Sequence, residues 1–155
     1  MLVDFNNLND ESRIWIYPSE IMLNDDQRIF ILNKITFFLQ NWNAHQLPLK
    51  AGVKILENHF IVIAIDESIN VASGCSIDAL QHTIQSIEKQ LSITLMNRLN
   101  VFCIVNNIIK CIPIDKLSKD IDDKILFYDL TIRKKGELLT YLKPMKQGWV
   151  NKFFV

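Results

Sequence analysis

Hydrophobic positions along the chain change period several times, and each change marks an element. Arg13 to Ser19, "RIWIYPS", alternates the aliphatic Ile14 and Ile16 with Arg13, Trp15 and Tyr17 and ends at Pro18, the period of a short strand. The following stretch, "NDDQRIFILNKITFFLQNWN", moves to helical spacing. Asn24 is its cap candidate, Asp25 and Asp26 suit the positive end of a helix, and Ile31, Ile35, Phe38 and Trp42 recur at helical intervals. Phe30 and Phe37 widen the apolar stripe, which predicts a helix covered on more than one side.

"KAGVKILENHFIVIAID" reads as two strands turning near Glu57, Asn58 and His59. The second strand puts Ile61, Ile63 and Ile65 on one face and Phe60, Val62 and Ala64 on the other, so it is expected to be central and buried on both faces. After the loop "ESINVASGC", Ile77, Leu80, Ile84, Ile87 and Leu91 form an amphipathic helical stripe. "NVFCIVNNIIKCIPI" predicts a hairpin in which Asn106-Asn107 is a two-residue turn pairing Val105 with Ile108. A short polar helix near "DKLSKDID" and a mixed C-terminal segment ending "GWVNKFFV" complete the reading.

Strand, helix, strand, strand, helix, strand is the order of a ferredoxin-like split βαβ sheet, here α+β with an extra strand and a C-terminal addition. Trp15, Tyr17 and the two-faced third strand predict that the face such a sheet leaves open is buried, by the C-terminal segment or by a second copy in a homodimer. In this topology Arg13, the loop "NWNAHQLPLK" with His45 and Lys50, Asp66, and the segment "VASGCSIDAL" share one edge of the sheet, with Arg98 at the opposite edge.

The 155 residues fit one domain over 1–155, and 49% apolar with 22% charged residues is a globular balance, with residues 1–12 expected as a mobile lead-in. The longest apolar run, Phe60 to Ile65, is far below the ~20 residues of a membrane helix, and no secretory or lipidation pattern is present, so a cytoplasmic protein without membrane partners is expected. Net charge is zero but uneven: residues 131–155 carry Arg133, Lys134, Lys135, Lys143, Lys146 and Lys152 against Glu137 alone. The expected outcome is a tail folded back on an acidic body rather than a nucleic-acid partner, because no nucleic-acid motif accompanies it. Cys75, Cys103 and Cys111 show no metal spacing with His45, His59 or His82. No metal, cofactor or disulfide is therefore expected, and Cys103 and Cys111 point to opposite faces of their hairpin.

Chemistry concentrates on Cys75. If Ser73 or Ser76 caps the second helix and Gly74 makes the turn, backbone amides surround the thiol and favour an anion. Three readings follow: a small packed side chain beside a cap; a binding site for a small anionic ligand or protein partner drawn from Arg13, Lys50, Ser73, Gly74, Ser76 and Asp78; or a thiol hydrolase or transferase with Cys75 as nucleophile, His45 as base and Asp66 or Asp78 as orienter. Asp78, placed in the first helical turn, would compete for the amides, and Ile77 stands where a nucleophile elbow has its second glycine. His59 and His82 are expected to be exposed, and Trp15 and Trp42 to be core.

At "RIWIYPS", "FFLQNWNAHQLPLKA", "HFIVIAIDES", "ASGCSIDALQHTI" and "NRLNV" the chain resembles a family of short bacterial proteins of unestablished function, often labelled as an ABC transporter ATPase, with "SGCSID" the most distinctive part. The resemblance implies no catalytic residue. The ATPase label does not fit these residues: Gly52, Gly74, Gly136 and Gly148 are the only glycines, and none begins a phosphate-binding P-loop. Where the family pattern has a glycine after the histidine and an Asp-Arg pair later, this chain has Gln46 and Asn97-Arg98.

Overall fold

A computed structural model describes residues 1–117 and 122–154. The protein is α+β with antiparallel sheets, and the chain, whose length fits one domain, gathers into two compact units: Met1–Met96 with Arg133–Gly136, and Asn97–Ile132 with Glu137–Val155.

In the first unit, β1 (Arg13–Pro18), β4 (Lys50–Leu56) and β5 (Phe60–Asp66) form a sheet of order β1-β5-β4. Helix α1 (Asp25–Gln40) opens with a capping box in which Asn24 and Gln27 exchange side-chain and backbone bonds, and α2 is Gly74–Leu91. Between α1 and β4 lies a small hairpin, β2 (Asn43–Ala44) and β3 (Leu47–Pro48), turned by His45 and Gln46 at φ 54° and 68°. Ile61, Ile63 and Ile65 share a core with Ile31, Ile35 and Leu39 of α1 and with Leu80, Ile84 and Ile87 of α2. Helix α1 is covered on one side only, and Phe37 is 71% exposed.

Trp15 and Tyr17 depart from expectation. They pair with Ile63 and Ile61, which places them on the face that the helices cover, and the Trp15 ring meets Trp42 edge-on at 5.9 Å. The second face carries Ile14, Ile16, Phe60, Val62 and Ala64, all buried. Within residues 1–12, expected as a mobile lead-in, the segment from Leu2 to Leu8 is tied to this sheet, while residues 9–11 are exposed. Val3 N–H donates to the Ala51 carbonyl (2.9 Å), and Phe5 and Leu8 are buried. Gly52 permits the crossing, because a Cβ there would lie 2.7 Å from the Val3 oxygen and 2.9 Å from the Phe5 nitrogen.

The fourth strand of the expected scheme is not beside β1. The outer edge of β1 is met instead by the returning segment at 133–134, through an Arg13–Lys134 bridge and an Ile14 N–H to Arg133 carbonyl bond of 2.9 Å. β6 (Asn100–Val105) belongs to the second unit, in a sheet of order β7-β6-β8-β9 with β7 (Ile108–Pro113), β8 (Leu126–Tyr128) and β9 (Leu142–Pro144). There the Asn106-Asn107 turn has both φ values positive (54° and 62°) and pairs Val105 with Ile108, as the turn residues predict. Cys103 is buried opposite Lys110, Cys111 lies opposite Phe102, and none of the three cysteines is in a disulfide. Val101, Cys103, Phe127, Met145 and Val150 form the core of this unit. Of the polar helix expected near Asp115 to Asp122, the described part is one 3-10 turn, Ile114–Lys116, and residues 118–121 lie outside the described residues.

Candidate functional site

The expected edge exists. Antiparallel pairing sets Lys50 opposite Asp66 and Arg13 opposite Ile65, so the start of β1, the start of β4 and the end of β5 lie together. The loop from Glu67 to Ser73 is tied down along its length. Ser68 N–H donates to Asp66 Oδ1 at 3.0 Å, Ala72 N–H donates to Glu67 Oε2 at 2.9 Å, and the Asn70 amide donates to the Leu47 carbonyl of the hairpin at 2.9 Å. Hydrogen bonds from Ser68 hold the Asp66 carboxyl below the usual carboxylate range, aided by Lys50 at 3.4 Å and opposed by partial burial. Arg13 stacks over Trp15 at 4.6 Å and reaches 3.8 Å from Glu67.

Ser73 is the cap of α2, and Ser76 completes a reciprocal box. Ser76 N–H donates to Ser73 Oγ (3.1 Å), Ser73 N–H donates to Ser76 Oγ (2.8 Å), and the Ser76 hydroxyl donates to the Ser73 carbonyl (2.8 Å). Trp42 anchors this turn from the end of α1, its indole N–H donating to the Ser76 carbonyl at 2.8 Å in the core. The amides of Gly74 and Cys75 are then the ones at this helix start with no partner among the described residues. Cys75 is exposed. Because the cap is Ser73, Asp78 lies beyond the first turn, a correction to its expected place. It faces His82 at 3.6 Å and does not compete for the amides.

His45, Asp66 and Cys75 share the edge without forming a catalytic relay: among the described residues no hydrogen bond or ion pair joins any two of them. Asp66 is engaged by Lys50 and Ser68, while His45 stands exposed on a turn. His59, expected to be exposed, is buried with Nδ1 3.0 Å from the Ser19 carbonyl. Among the described residues no group of three or more His, Cys, Asp or Glu side chains could hold a metal, and no helix is long and apolar enough to cross a membrane.

A feature absent from the sequence reading stands beside these residues. Ile69 is 95% exposed, Leu47 and Val71 are 58% exposed, and a cavity of about 190 Å³ is lined by Met1, Leu47, Pro48 and Ile69 together with Lys50, Asp66, Ser68 and Asn70. Its signal was available: Ile69 and Val71 are β-branched apolar residues in an otherwise polar loop. The basic tail meets acids, as charge balance predicts. Lys134 pairs with Glu11 at 2.6 Å in the first unit, and Lys143 pairs with Asp129 at 2.9 Å in the second. Burial pushes the Asp129 carboxyl up, but bonds from Thr131 and Lys143 outweigh it, and the net direction is down.

No protein-family model, curated protein or solved structure matches the chain.

Proposed function

We propose that this chain is a non-catalytic binding protein, and that the edge made by the β2–β3 hairpin and the Glu67–Ser73 loop receives an apolar side chain from a protein partner. The observation that carries this reading is Ile69, held almost fully exposed on a loop tied at both ends and beside a small, partly apolar cavity. At about 190 Å³ the cavity is smaller than the roughly 300–1,000 Å³ typical of sites that enclose whole metabolites, and suits one side chain. A large apolar residue on a fixed loop loses little conformational entropy on docking.

The anionic-ligand form of this reading, drawing on Arg13, Lys50 and the Ser73–Asp78 turn, has weaker support. Ser73 and Ser76 satisfy each other, Lys50 is paired with Asp66, and Arg13 faces Glu67. The thiol hydrolase or transferase reading lacks a base hydrogen-bonded to Cys75 among the described residues. For the first unit, the order β1-β5-β4 supports a ferredoxin-like ancestry with its fourth strand pairing elsewhere. Kinship with the short bacterial proteins that carry "SGCSID" is proposed alongside, supported by the structural work of Ser73 and Ser76 in that string. A cytoplasmic setting belongs to the same reading.

Amide chemical-shift mapping with isopropanol as a mimic of an apolar side chain tests the proposal. Saturable shifts are expected at Leu47, Lys50, Ile69 and Asn70; shifts scattered over the surface would contradict it. A second copy as the partner, the homodimer expectation, is read by sedimentation at micromolar concentration.

A further inference from the structure

We infer that the free half of the β4 edge is a docking strand for an extended peptide of alternating apolar and acidic residues, a site separate from the loop edge and independent of that reading. β4 is the outer strand of the order β1-β5-β4. Its first half is already used: Ala51 N–H donates to the Met1 carbonyl (3.0 Å), Val3 N–H donates to the Ala51 carbonyl (2.9 Å), and Leu2 bridges Ala51 in the parallel sense. Ala51 therefore turns its backbone groups outward, and by the two-residue period of a strand Val53 and Ile55 do the same. The head leaves the edge after Val3 to cross Gly52, so nothing among the described residues pairs with those two outward rungs.

The surroundings of the rungs specify the occupant. A groove of about 550 Å³ runs between them and the first turns of α1, lined by the apolar Ile29, Leu32, Val53 and Ile55 and by the polar Asp25, Arg28, Lys54 and Asn58. Ile29 is 58% exposed there. A strand added along β4 would turn alternate side chains into this groove and the others toward the Lys54 ammonium, since Lys54 borders the groove but by strand alternation sends its side chain to the other face, where it meets Asn6. Lys54 is exposed, and its ammonium donates to the neutral Asn6 Oδ1 at 3.1 Å with no carboxylate partner among the described residues. Charge complementarity thus asks for acids at those positions. A second copy of the chain fits poorly, because antiparallel self-pairing through both rungs would set Lys54 directly opposite Lys54.

The test uses the whole chain and a capped hexapeptide, Glu-Val-Glu-Val-Glu-Val, followed by amide hydrogen exchange. The inference expects the Val53 and Ile55 amides to exchange rapidly in the protein alone and to slow at least about tenfold with saturating peptide. It also expects at least roughly tenfold weaker binding for the Lys-Val counterpart, and for the Glu-Val peptide on Lys54→Glu. Val53→Pro deletes one outward donor at an edge position where proline is tolerated. Should that variant fail to fold, the Glu-Val peptide N-methylated at alternate bonds probes the same rungs on the unaltered protein and is expected to give no protection. Protection absent at about 1 mM peptide, retained with the N-methylated peptide, or appearing with protein concentration alone would each overturn the inference.

Discussion

Single side chains hold the candidate site in place, and each has a measurable share. Trp42 joins the end of α1 to the start of α2 by one buried bond to the Ser76 carbonyl. Trp42→Phe removes this second, indole donor from a carbonyl of the α2 ladder and opens space in the core, so urea unfolding is expected to show a loss of about 1–3 kcal/mol. Asp129 gives a pH prediction. A carboxyl held below its ordinary range stabilises the fold fully above that range, near pH 4, and loses this contribution as pH falls through the lower folded value. Asp129→Asn should therefore be less stable at neutral pH and show a shallower loss of stability in acid, as read by unfolding midpoints from pH 7 down to about 2. The cysteines separate by exposure: in the native protein, iodoacetamide should modify Cys75 readily and Cys103 only on unfolding, since Cys103 is fully buried and burial pushes its thiol up. Mass spectrometry of the modified peptides checks the order.

At the scale of elements, local chemistry was legible and long-range docking was not. The Asn106-Asn107 turn could be read because the residue type that tolerates positive φ stands at both turn positions. The same principle explains Gln46. It sits at φ 68°, where glycine is favoured and a glutamine is strained. Gln46→Gly is expected to stabilise the β2–β3 hairpin by on the order of 0.5 kcal/mol, detected as slower amide exchange at Leu47. The packed head was not legible, because its anchor is a missing Cβ at Gly52, far away in sequence. Gly52→Val should displace residues 1–8 and make them an early site of limited proteolysis while the β6–β7 hairpin stays protected.

For the molecule as a whole, the shared edge of Arg13, Lys50, Asp66 and the α2 start could be derived from element order alone, since antiparallel neighbours dictate which ends meet. What order could not supply was the sheet that β6 joins. The outer edge of β1 is met by Arg133 and Lys134, and no pattern within β1 or β6 encodes that. Nor did residue type alone reveal that Asp66 is engaged by Lys50 and Ser68 rather than by His45. The surface left exposed at Ile69 therefore becomes the better functional candidate than the Cys75 thiol that follows the same loop. The most direct measurement compares isopropanol shift maps of Ile69→Asp and Cys75→Ser with the unaltered chain. Binding at the loop edge predicts that Ile69→Asp erases the shifts at Leu47, Lys50 and Asn70 with an unchanged unfolding midpoint, and that Cys75→Ser preserves them. Shifts that survive Ile69→Asp and vanish in Cys75→Ser would contradict the account.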